Sequence, residues 1–147
     1  RREKQEKKQR EQERLLKAKQ EAERKELIQS LAEQYRNEYQ KINFESSAQR
    51  AELENSAENE INQAQKQIGE FLKQKETFTL FRKKRDAELD KKISVLTRHI
   101  SQLKESLSIK LEEYEREIEN QRNEIFVNIL KEADKEGIKE EVVNELQ

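Results

Sequence analysis

Four cations stand in a row at Arg82, Lys83, Lys84 and Arg85, just after the rings of Phe78 and Phe81. Basic groups beside aromatics suit two kinds of chemistry. They hold a nucleic-acid backbone while the rings stack on bases, or they lie on an anionic membrane surface with the rings inserted. A third reading is a solvated helix surface whose charges pair with an acidic block of the same chain. A net charge of −1 weighs against a dedicated nucleic-acid protein, which carries a basic excess.

The rest of the chain holds little reactive chemistry. His99 is the one histidine and there is no cysteine, so neither a zinc site nor a Glu-x-x-His di-iron site can be assembled. Gly69 and Gly137 are the only glycines, too few and too far apart for a phosphate loop or a calcium loop. The many carboxylate pairs fall on charged helical stretches, where they are solvated. No catalytic residue, metal ligand or cofactor is assigned, and no enzymatic activity is expected.

The elements that must position these residues follow from composition. The chain is 43% charged and 31% hydrophobic over 147 residues, with no proline, against about 25% and about 45–50% in an ordinary globular domain. So few apolar groups suit a narrow seam rather than a broad core. Disorder is the rival for such a composition. Near-zero net charge and the abundance of Glu, Lys, Gln, Arg, Leu and Ala favour helix instead. No apolar run approaches the roughly 18 residues of a membrane span, and a cytoplasmic or other intracellular setting is expected. With no methionine, the chain reads as processed or as a piece of a longer one, and an anchor outside it stays open.

Five segments are read along the chain. Residues 1–26 form a charged, solvated helix with Leu15 and Leu16 as its only large apolar groups. Residues 27–75 form a first coiled-coil segment, with Ile28, Leu31, Tyr35, Tyr39 and Ile42 and then Leu53, Ala57, Ile61, Ala64, Ile68 and Phe71 stepping by three or four. Between them "NFESSAQ", 43–49, is either a break capped by Ser46 or Ser47 or a loosely packed piece of one helix. Residues 76–82 are a candidate turn, where Thr77 or Thr79 would cap the next helix. Residues 83–136 form the second segment, with Leu89, Ile93, Leu96, Ile100, Leu103 and Leu107 in heptad spacing and a stutter on to Leu111. Residues 137–147 form a short terminal helix after a glycine cap at Gly137.

The C-terminal face is wider than the seam. Ile125, Phe126, Ile129, Leu130, Val142, Val143 and Leu146 need more than one neighbouring helix. They either dock a protein partner or fold back on the chain itself.

Charge arranges the segments. Residues 1–25 hold eleven basic and six acidic groups, 26–72 four and nine, 73–98 nine and four, and 99–147 seven and thirteen. Folding back so that facing residue numbers total about 150 sets opposite blocks together. It would bring Ile61 near Leu89, Ala57 near Ile93, Ile42 near Leu107 and Tyr35 near Tyr114. The expected fold is therefore all-α, built of long, slender coiled-coil helices, with an antiparallel hairpin preferred over one continuous rod. An antiparallel dimer of rods satisfies the same pairing, and a three-helix form with a second break at 43–49 is the remaining option. The function expected is that of a structural spacer, tether or stalk in a larger assembly, such as the stalk of a rotary or secretion machine. It would work as a homo- or hetero-oligomer with protein partners bound by helix packing. The alternative is an adaptor whose basic tip binds nucleic acid or an anionic membrane surface.

Overall fold

A computed structural model describes all residues, 1–147. Three helices account for nearly the whole chain: α1, Arg2–Glu76; α2, Arg82–Lys135; and α3, Lys139–Leu146. There is no strand, and α1 and α2 pack as an antiparallel hairpin. One continuous rod is thereby excluded.

The second break expected as an option at 43–49 is not there, since α1 runs through it without interruption. Asn and Ser disfavour helix interiors because their side chains compete for backbone bonds. At Asn43 the side chain is otherwise engaged: Arg122 donates to its Oδ1 from Nε at 3.1 Å and from Nη2 at 2.7 Å. Ser46 is half-buried and does not cap a new helix.

The chain divides into two compact units, Arg1–Asn43 with Asn120–Gln147, and Phe44–Glu119. In the first, three helical segments meet around Leu31, Ile129, Ala133, Ile138 and Val142, with Leu27, Ile28, Tyr35, Ile125 and Leu146 packed against them. Tyr35 meets Phe126 edge-on, with ring centroids 5.9 Å apart, and the Arg122 guanidinium lies over the Tyr39 ring at 5.4 Å. α3 is too short to be stable alone. It is held by this apolar contact, by an ion pair from Arg24 to Glu141, and by Arg36 Nη2 donating to the Glu145 carbonyl at 2.9 Å. The last contact places a cation at the negative end of α3.

In the second unit two helices share a thin seam. Ala64, Leu89 and Ile118 are buried, while Leu53, Ala57, Ile61, Ile68, Phe71, Ile93, Leu96, Ile100, Leu103, Leu107, Leu111 and Tyr114 are half-buried. Across it Tyr114 Oη donates to Gln49 Oε1 at 2.9 Å, and Arg50 and Lys75 pair with Glu115 and Asp90 at 3.6 and 2.6 Å.

These contacts correct the register. Facing numbers total 163 for Gln49 and Tyr114, and 165 for Lys75 and Asp90. In the first unit they total 161 for Tyr35 and Phe126, and 165 for Asn43 and Arg122. A total near 150 would have faced Tyr35 with Tyr114. The displacement is close to two heptads, about 14 residues, which returns most seam residues close to the same helix face. Apolar spacing alone therefore accepts either register.

α2 ends at a left-handed glycine. Gly137 has φ +69°, and the Ile138 N–H reaches back to the Ala133 carbonyl at 2.9 Å, with Gly137 N–H on the Asp134 carbonyl at 3.1 Å. This is a Schellman cap, closed by contact between buried Ile138 and Ala133. A Cβ at Gly137 meets nothing within 4 Å, so the constraint is the backbone angle alone. Gly137→Ala should therefore lower unfolding free energy by roughly 1 kcal/mol. Gly69→Ala, inside α1 and also in open space, should raise it by roughly 0.5–1 kcal/mol. Urea denaturation followed by circular dichroism checks both signs.

Candidate functional site

The turn between α1 and α2 and the first turn of α2 bring together the aromatic and basic residues singled out for binding, Phe78, Phe81, Arg82, Lys83, Lys84 and Arg85. α1 stops at Glu76, and α2 starts at Arg82 with its first backbone bond from the Arg85 N–H to the Phe81 carbonyl at 3.1 Å. Phe81 is thus the residue that opens α2, and neither Thr77 nor Thr79 caps it. No residue of the turn has a positive φ, which is why the chain reverses here without glycine.

The turn leaves its apolar side chains in water. Phe78, Leu80 and Phe81 are 79%, 94% and 78% exposed. Leu80, the most exposed of them, belongs to the apolar run but is not among the residues that basic-aromatic spacing picks out. Its signal is its type: a large aliphatic group in a turn, where short polar residues are usual.

The four cations do not act alike. Arg85 is turned inward, its Nη2 donating to the Lys75 carbonyl at 3.2 Å and its guanidinium on Asp86 Oδ1. It satisfies one of the carbonyls that the end of α1 leaves open and ties the two helices together across the turn. Arg82 pairs with Asp86 at 3.6 Å through a largely solvated side chain. Lys83 and Lys84 are exposed and make no ion pair. All four lie in the first turn of α2, which holds no acidic residue. That is the positive end of the helix dipole, where cations are disfavoured.

The C-terminal apolar residues are drawn into the chain's own packing. Ile129 and Val142 are 2% and 0% exposed within the three-segment core, and Ile125 and Leu146 pack on it. Leu130 and Val143 are half-buried. Phe126, at the rim beside Tyr35, and its neighbour Val127 keep substantial exposure. Of the two readings of this face, folding back on α1 describes what Ile129 and Val142 do.

Elsewhere the surface is charged and shallow. His99 is exposed. Grouped His, Cys, Asp or Glu residues suited to a metal ion are absent, and no helix is long and apolar enough to cross a membrane. A gap of about 90 Å³ lies in the seam between Leu53, Ala57, Leu103 and Leu107, where the stutter meets small side chains.

Comparison with models of protein families, with curated proteins and with solved structures gives no match.

The division of labour among the cations is measurable. Arg85→Ala should cost about 1 kcal/mol of stability, since it leaves a partly buried carbonyl without its donor. Lys83→Ala should stay within about 0.5 kcal/mol of the parent. Equal effects in urea melts would contradict the separation.

Proposed function

We propose that this chain is a non-enzymatic coiled-coil structural protein that serves as a spacer or tether within a larger intracellular assembly. The observation that carries the reading is the antiparallel pairing of α1 and α2. Within the second unit, a single line of buried and half-buried side chains from Leu53 to Phe71 and from Leu89 to Ile118 is the whole interior. Such a seam encloses no substrate, while its heptad spacing fixes how the helices pair. The charged outer faces keep the pairing from spreading indiscriminately. Protein partners would engage by helix packing, with Phe44, Val95, Ile109, Phe126 and Val127 as apolar groups still open on the surface.

A second reading, an adaptor acting through its tip, is favoured by the exposure of Phe78, Leu80 and Phe81. It is compatible with the first, since a tether needs something to hold at its ends.

The spacer reading requires the hairpin to be the resident form of the isolated chain, not one that a partner induces. The absence of native cysteine allows spin labels at Glu52→Cys and Glu112→Cys, which face each other in the observed register. The expected result is a distance of helix-packing scale, with axes roughly 10 Å apart, unchanged on dilution with unlabelled chain. A short distance lost on dilution would mean an antiparallel dimer, and a long one would remove the hairpin spacer altogether.

A further inference from the structure

We propose that the α1–α2 turn is a membrane-docking tip: Phe78, Leu80 and Phe81 insert into the interfacial layer of an anionic phospholipid bilayer while the surrounding cations hold its headgroups. The proposal deepens the tether reading by naming what one end of the hairpin holds, and it rests on that reading.

Three observations carry it. The first is the exposure of the apolar trio, from 78% at Phe81 to 94% at Leu80, within a connection only five residues long. Nothing in the fold rewards this. The side chains stay mostly in water, and because no turn residue has a positive φ, serine or asparagine would suit the reversal. Large apolar groups mostly in water at a chain reversal call for an apolar phase to enter.

The second is a collar of cations around the trio. Lys73 lies in the last turn of α1, and Arg82, Lys83 and Lys84 lie in the first turn of α2. Lys83 and Lys84 have no acidic partner, and Glu76 is the only carboxylate between Lys73 and Arg82. The pattern matches the two signals that stable peripheral attachment needs, apolar insertion and a basic patch.

The third is rigidity. Arg85 ties α2 to the Lys75 carbonyl and Lys75 pairs with Asp90, so the turn presents its side chains from braced helix ends and little ordering remains to be done on docking.

The side-chain types select a bilayer over the other candidates. Leu80, the most exposed group, has no ring to stack on a base, and so few free cations would neutralise too few phosphates for firm binding to nucleic acid. A bilayer needs no shape match, accepts aliphatic and aromatic groups alike, and attracts each nearby cation.

The test is co-sedimentation of the full chain with vesicles of phosphatidylcholine alone or mixed with phosphatidylserine, with a single-stranded oligonucleotide as a separate arm. The parent should bind the mixed vesicles, less so as salt rises. Lys83→Gln with Lys84→Gln should weaken that binding by roughly 25-fold, about fivefold per lysine. Phe78→Ser, Leu80→Ser and Phe81→Ser together should weaken it at least about tenfold. Because the chain lacks tryptophan, Leu80→Trp gives a single tryptophan, excited apart from the tyrosines at the red edge of their absorption, whose emission should shift to the blue with mixed vesicles. The proposal is overturned if the parent ignores mixed vesicles, if the triple-serine variant binds like the parent, if the tryptophan emission does not move, or if the oligonucleotide binds more tightly than the vesicles. Spin-label distances between positions 52 and 112, taken on the same variants, separate the outcomes. A hairpin that persists without vesicle binding sinks the docking tip alone, whereas a lost hairpin sinks the tether reading as well.

Discussion

Two helices in contact have one line along which side chains can leave water, and that geometric limit governs this protein. A residue on such a line is screened by its own helix and by one neighbour, so its outer edge stays wet. In the unit formed by Phe44–Glu119 only Ala64, Leu89 and Ile118 reach full burial, while every other seam residue is half-exposed. In the unit formed by Arg1–Asn43 and Asn120–Gln147, α3 adds a third wall, and Leu31, Ala32, Ile129, Ala133, Ile138 and Val142 are buried. Eight residues of extra helix thus change the kind of interior the chain can make. At roughly 25 cal/mol per Å² of apolar surface removed from water, the three-walled core is where each side chain contributes most.

Polar contacts work differently in the two settings. Surface ion pairs such as Arg50 with Glu115 are solvated on both sides and add little stability. They discriminate instead between ways of sliding one helix along the other, a choice that the repeating seam leaves open. Arg122 on Asn43 and Arg85 on the Lys75 carbonyl do more, because each satisfies a group that would otherwise disturb the helix: a mid-helix amide in one case and an open end in the other.

Much of this is legible in the sequence, and the limits have physical causes. The positions of the seam residues follow from three-and-four spacing because the helix period fixes which side chains share a face. The turn shows itself as the place where Thr77 to Phe81 breaks the charged pattern. The register is hidden, since a slip of two heptads again sets apolar residues against apolar residues, and the charge blocks are too coarse to resolve it. The continuity of α1 through Asn43 is hidden as well, because the group that engages its side chain is Arg122, 79 residues away. At the tip, residue type identifies the apolar and basic groups. Which cation is structural depends on where the Lys75 carbonyl points, and no local spacing encodes that.

The Schellman cap at Gly137 and the short α3 behind it bear on how the chain reaches its fold. Near the turn, Lys75 and Asp90 are 15 residues apart, so their contact closes a small loop; Arg24 and Glu141 are 117 apart. Closure entropy grows with the logarithm of that separation, and the order of least entropy loss runs outward from the turn, each new pair of seam residues adding a short extension to what is already joined. α3 gains its full set of partners only when the segments around Leu31 and Ile129 have met. The core with the deepest burial is therefore the one this topology completes last, and its contacts hold the native state against opening more than they guide the chain toward it.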